Sequence, residues 1–179
     1  MPVGEDGQRV TSNPLMLSMT ASVYELRQGV GMPETIAELY EHASEAMLSR
    51  GGASSKELRR LMQAVFFEAH VNQRREIEDW RLDEAALSLE LPEVLADIRE
   101  RAKDQVEKGR ALRDARAQLP PLLREALEEM RERVANDKLP LFSRLQAEPL
   151  KLQSSHLSFQ EYYTMRALCE KDCVRAHAH

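Results

Sequence analysis

Apolar residues recur at three and four along most of this chain and alternate at two in one short stretch near its end. The first spacing is that of a helix with one buried face, the second that of a half-buried strand. A helix is predicted to open at Asn13-Pro14, with Asn as N-cap and Pro in the first turn, where its missing N–H has no partner to lose. Leu15, Met19, Val23 and Leu26 share its inner face, and Gly29 and Gly31 end it. A second helix is predicted from Met32-Pro33-Glu34, with Ile36, Leu39, Tyr40, Ala43 and Met47 inward and Gly51-Gly52 as the stop. The two pack as a hairpin. Ser54 and Glu57 have capping-box spacing ahead of a third stripe formed by Leu58, Leu61, Met62, Val65, Phe66 and Ala69.

Beyond it, HVNQRREIEDW reads as a polar turn with a brief extended piece, and LDEAALSL as a short helix. From Pro92 to about Asn136 charges dominate. A thin apolar stripe (Val94, Leu95, Ile98, Ala102, Val106, Leu112) precedes Pro120-Pro121, and Leu122, Leu123, Leu127, Met130 and Val134 follow it. This predicts two charged helices in a hairpin with a narrow buried face, a solvated arm. LKLQSSH alternates behind Pro149 and predicts a strand. LFSRLQ fits its partner or a helical turn. SFQEYYTMRAL is helical, with Ser158 as N-cap, Glu161 completing a second capping box, and Phe159, Tyr162, Tyr163, Met165 and Leu168 as its apolar surface.

The expected fold is therefore mainly α: a helical hairpin followed by a winged-helix-like domain with a short β element and a charged helical insertion at about 92–136. The divisions are an unstructured stretch over 1–12, the hairpin over 13–52, the winged-helix-like domain over 53–168 and a tail over 169–179.

Composition narrows the function. The chain has 179 residues, 31% of them charged, with a net charge of −5 and both signs interspersed, which argues against a general polyanion binder. No window approaches the ~18 apolar residues of a membrane span. Two cysteines make no disulfide framework, so a reducing, cytoplasmic setting is expected. None of the seven glycines precedes a Lys, so no G-x-x-x-x-G-K-[ST] phosphate loop exists, and H-E-x-x-H, G-x-S-x-G and paired C-x-x-C are absent as well. On its own residues the chain is expected not to be an enzyme. Cys169, Cys173 and His177, four apart with His179 nearby, would share a helix face and form a weak zinc candidate, against the plainer reading of an arbitrary C-terminus.

HLSFQEYYTMRAL, through His156, Leu157, Ser158, Phe159, Gln160, Glu161 and Tyr162, resembles the H-[LM]-[ST]-F-Q-E-[YF] signature closing the winged-helix domain of NACHT proteins. These are signal-transduction NTPases of the STAND class, which includes inflammasome-type receptors of innate immunity. Upstream, Asn13, Pro14 and Leu15, then Met32, Pro33, Leu39 and Tyr40, resemble that family's helical domain, N-P-L-L-L followed by L-P-x-x-x-x-x-L-Y. The motifs stand in the family's order, about 140 residues apart. The middle matches only in being helical, and Thr164 and Met165 stand where the family has small residues.

The resemblance implies that Pro14 packs near the adenine and that His156 contacts the β-phosphate of ADP in a closed, resting state. A His N–H can donate to a phosphate oxygen, and a contact made only in the closed form biases a two-state equilibrium. Taken alone, His156 fits a residue capping the helix or filling the strand–helix corner, and Pro14 an ordinary first-turn proline. The P-loop core would precede residue 1, so the chain resembles a regulatory piece of a longer switch. It would engage ADP or ATP only with that upstream nucleotide-binding domain in cis, and the full-length protein could form a homo-oligomer. Two alternatives from other classes are a helical protein-interaction scaffold and a winged-helix nucleic-acid binder using Lys56, Arg59 and Arg60.

Overall fold

The computed structural model describes residues 14–26, 33–53 and 55–176, with the side chains of 22, 25, 26 and 171–176 left aside. Residues 1–12, Asn13, Gly29, Gly31, Met32, Ser54, His177, His179 and the side chain of Leu26 thus lie outside the described residues. The molecule is mainly helical and divides into two compact units, with the boundary between Gly52 and Ala53.

In the first unit, α1 (Pro14–Leu26) packs against α2 (Ile36–Arg50). Met19 and Val23 bury on α1; Leu39, Tyr40, Ala43 and Leu48 bury on α2. α2 starts later than the expected Met32-Pro33-Glu34. Thr35 is its N-cap, accepting from the Glu38 N–H at 3.1 Å, and the Glu38 carboxylate reaches back to the Glu34 N–H at 2.9 Å. A threonine with a glutamate three residues on satisfies two orphan donors at once, which Pro33 cannot do. Gly51 closes α2 and Gly52 takes a left-handed φ of 68°.

The second unit runs α3 (Lys56–Val71), β1 (Glu76–Glu78), α4 (Asp79–Glu90), α5 (Pro92–Arg101), α6 (Gln105–Ala115), a 3₁₀ turn (Arg116–Gln118), α7 (Pro121–Ala135), β2 (Phe142–Gln146), β3 (Lys151–Ser154) and α8 (Leu157–Ala176). The expected cap at Ser54 falls instead on Ser55, whose hydroxyl accepts from the Leu58 N–H at 3.1 Å. α3 is central and packs on α4, α7 and α8. Phe66 of α3 stacks on Phe142 of β2 at 4.4 Å and on Tyr163 of α8 at 5.2 Å. LFSRLQ is a strand, and the three strands form an antiparallel sheet in the order β1-β3-β2, with buried Ile77 opposite buried Leu152.

The charged segment departs from the expected hairpin. It forms three helices, because Ala102 to Asp104 interrupts the first. Asp104 caps α6 by accepting from the Glu107 N–H at 2.8 Å. α7 is no solvated arm either. Leu123, Ala126, Leu127, Met130 and Val134 are buried, and the helix packs on α3. α5 reaches α3 through the Arg99–Glu68 ion pair at 2.9 Å, and α6 packs on α4 and α5. α3 and α7 both end in Schellman turns with no glycine. The left-handed residues are Gln73 (φ 53°) and Asp137 (φ 54°), with Arg74 N–H bonded to Ala69 O at 2.8 Å and Lys138 N–H to Arg133 O at 2.7 Å.

Candidate functional site

β3 ends at Ser154 and α8 begins at Leu157, which leaves Ser155 and His156 to make the corner. The Ser155 N–H is held by Leu141 O at 2.9 Å, and the His156 carbonyl accepts from the Ser154 hydroxyl and from the Phe159 N–H at 3.1 Å. The backbone at the corner is thus fixed from both sides. Ser158, expected as N-cap, lies inside the helix. Its hydroxyl meets His156 Nδ1 at 2.9 Å, and Glu161 is exposed, so the second capping box does not form. The bond can run either way with the tautomer, and where the hydroxyl donates to Nδ1 the ring proton sits on Nε2. That Nε2 has no partner among the described residues.

The exposed His156 ring borders a cleft of 300 Å³ between this corner and the turn that joins α3 to β1, with Arg75, Gln153, Ser154, Ser155, Leu157 and Gln160 completing the lining. Gln160, expected to be no more than part of a helical signature, is 3% exposed, and its amide donates to Arg74 O at 3.3 Å. It bolts α8 to the turn that carries Arg75. That guanidinium is exposed and makes no hydrogen bond or ion pair among the described residues. No Asp or Glu lines the cleft. It therefore offers N–H and O–H donors with one permanent positive charge, the chemistry of an anion site.

The buried face of α8 is Phe159, Gln160, Tyr163, Thr164 and Ala167. The expected apolar residues Met165 and Leu168 are exposed, 60% and 43%. Thr164 can be buried because its hydroxyl donates to Gln160 O at 2.7 Å. Pro14 is the exposed first residue of α1 and belongs to the first unit, whereas His156 belongs to the second. Cys169 is exposed, Cys173 lies on α8 without a described side chain, and the helix runs through the expected tail to Ala176. No metal-holding group of His, Cys, Asp or Glu occurs among the described residues.

A second polar cluster escaped the sequence reading. Asp83, fully buried on α4, accepts from Arg131 Nη2 of α7 at 2.8 Å, while Arg131 Nε reaches Asp79 at 2.7 Å. Burial pushes the Asp83 carboxyl above its ordinary range, and the adjoining Arg131 charge only partly offsets this. Next to it, buried Glu84 takes Arg99 of α5 at 3.0 Å, Lys108 of α6 at 2.7 Å and Arg81 at 3.3 Å. Apart from Arg81, three residues from Glu84, the members are 15 to 52 residues apart across these pairs, beyond the reach of any local pattern. Most of the carboxylate oxygens here are matched to cations, which makes the cluster a clamp between helices rather than a reaction centre.

No protein-family model matches the chain, and no curated protein or solved structure matches it. No helix among the described residues is long and apolar enough to cross a membrane.

Proposed function

We propose that the chain is the regulatory segment of a NACHT-type STAND NTPase, closing over ADP or ATP held by a separate P-loop domain and stabilising a resting state. The observation that carries the reading is His156 at the β3–α8 corner, with its Nε2 unpartnered on a cleft free of carboxylates. A second observation supports the fold half of it. Helix, strand, helix, helix, strand, strand with the sheet ordered β1-β3-β2 is winged-helix order, with α5 and α6 inserted between its second and third helices. The segment would hydrolyse nothing itself. It would add a phosphate contact in the closed form and lose it in the open one.

The rival nucleic-acid reading finds little support. Arg60 is engaged by Glu57 and Glu90, and α3, which carries Lys56, Arg59 and Arg60, is the central core helix. α7, where a winged helix presents its groove-reading helix, exposes Glu125, Glu128 and Glu132.

The test joins the chain in cis to a P-loop domain of the resembled family and follows release of a fluorescent ADP analogue. His156→Ala should speed release about tenfold, the loss of one charge-assisted hydrogen bond. Release at the unaltered rate would refute the assignment.

A further inference from the structure

Resting on that reading of His156, we infer that Arg75 is the principal phosphoryl-binding residue of the same cleft, and that the site grips a dianionic phosphoryl group between Arg75 and His156. Three observations carry this. First, the Schellman turn at Gln73 ends α3 and delivers Arg75 to the mouth of β1. The register Glu76 to Gln153 then sets Arg75 beside Ser154, two residues before His156. Second, the surface of this protein is dense in ion pairs: Arg60, Arg81, Arg99, Arg101, Arg116, Arg131, Arg133, Arg144 and Arg166 all meet carboxylates. Arg75 meets none among the described residues; Arg113 and Arg124 meet none either, but their cleft is lined by Glu125, Glu128, Glu129 and Glu132, whereas no carboxylate lines that of Arg75. Third, the backbone behind it is fixed, because the Arg74 carbonyl is bonded by buried Gln160 of the helix that follows His156.

A guanidinium presents a planar fork of donors that fits two oxygens of one phosphoryl group, and it stays charged at every working pH. In the tautomer in which the Ser158 hydroxyl donates to Nδ1, the His156 Nε2–H supplies a third donor to the same cleft. Division of labour follows: Arg75 supplies the charge, and His156 supplies direction. A carboxylate, with two oxygens and one charge, would satisfy Arg75 and leave His156 unused.

The experiment titrates the full chain with inorganic phosphate and with acetate, and the chain joined in cis to the P-loop domain with ADP, and follows the backbone amides of Ser155, His156 and Leu157 and the Arg75 Nε–H by nuclear magnetic resonance. Phosphate and ADP should shift the same signals and bind more tightly than acetate. Arg75→Gln should weaken phosphate about tenfold, the worth of a charge-assisted pair of hydrogen bonds, and Arg75→Lys should restore part of it. Arg75 is exposed and unbonded, so these variants fold. If Arg75→Gln binds phosphate as the parent does while His156→Ala does not, the role of Arg75 is overturned and the His156 reading stands. If Arg75→Gln loses phosphate while His156→Ala keeps it unchanged, the two-residue grip and the His156 reading both fall. Silence of all four signals overturns both, and a response to phosphate but none to ADP once the chain is joined to the P-loop domain leaves a free-phosphate site and overturns the nucleotide reading.

Discussion

Arg131→Met removes the only cation bonded to Asp83 among the described residues. Asp83 is 0% exposed and its Oδ1 has no hydrogen-bond partner among the described residues, so the Arg131 Nη2 donor at 2.8 Å is what balances the buried charge. Methionine fills much of the aliphatic volume but donates nothing. Breaking a buried pair from one side costs about 3–5 kcal/mol, a large part of the roughly 5–15 kcal/mol that holds a typical domain together. Asp79, with a side chain 29% exposed, recovers water and adds little. The sign of the pH dependence follows from the environment. Burial already raises the Asp83 carboxyl above 3.8 in the folded protein. A raised carboxyl binds a proton on folding, so its contribution is fully present below 3.8 and is lost as pH rises through the folded-state value. Without Arg131 the carboxyl rises further, and the penalty should shrink as pH falls from neutral toward the acid range. The assay is urea unfolding at several pH values, read by the fluorescence of Trp80, the chain's single tryptophan. Its ring lies 4.0 Å from the Arg81 guanidinium in the same unit, so the signal follows that unit. Replacing both partners, Asp83→Leu with Arg131→Met, should recover most of the loss, because an apolar pair needs no compensation. A single variant within about 1 kcal/mol of the parent at pH 7, or a double variant no better than the single, would refute the reasoning.

Three further outcomes are expected from the same unfolding assay. Phe66→Ala takes one ring out of the Phe142–Phe66–Tyr163 stack that joins three elements and should cost about 3–5 kcal/mol. Asp104→Ala removes the α6 cap and should cost about 1 kcal/mol, with Asp104→Asn close to neutral. Gly109→Ala should stabilise by up to about 1 kcal/mol, since Gly109 is helical and an added Cβ would stand 3.4 Å from Trp80 Cγ, in ordinary contact; Gly109→Leu should instead displace Trp80 and destabilise.

The sequence pattern was informative where burial repeats with the helical period and uninformative where a residue's partner lies far along the chain. Met19, Val23, Leu39, Leu58 and Leu61 were all placed inward by spacing alone and are buried. LKLQSSH was read as a strand because alternation is unambiguous over even four residues. Gly and Pro do not mark the two Schellman turns, where Gln73 and Asp137 accept a left-handed φ. Nor do they mark the α5–α6 break, although Asp104 and Glu107 carry a capping-box spacing that could have revealed it. For α7 the stripe was correctly seen, yet a stripe does not say what covers it, and α3 does. The candidate site divides in the same way. His156 stood in a recognisable string, whereas Arg75 carries no local signal. It matters only because β1 pairs with β3.

That pairing depends on the charged residues that seemed to belong to a solvated surface. Consecutive residues on a helix point about 100° apart, so the adjacent acids Asp83 and Glu84 of α4 face different neighbours. Asp83 holds α7 through Arg131; Glu84 holds α5 and α6 through Arg99 and Lys108. Two neighbouring carboxylates thus fasten α5, α6 and the core helix α7 to the same turn of α4. α4 follows β1 with no intervening residue, and its first amide, Asp79 N–H, bonds to Leu150 O at 3.0 Å at the start of β3. Clamping α4 therefore restrains β1, β1 sets the position of Arg75, and β3 leads to His156. Loosening of the Asp83–Arg131 pair should consequently reach the cleft as well as the stability. In Arg131→Met, phosphate binding at His156 should weaken even where the protein remains folded, while Asp104→Ala, which loosens α6 alone, should leave it unchanged.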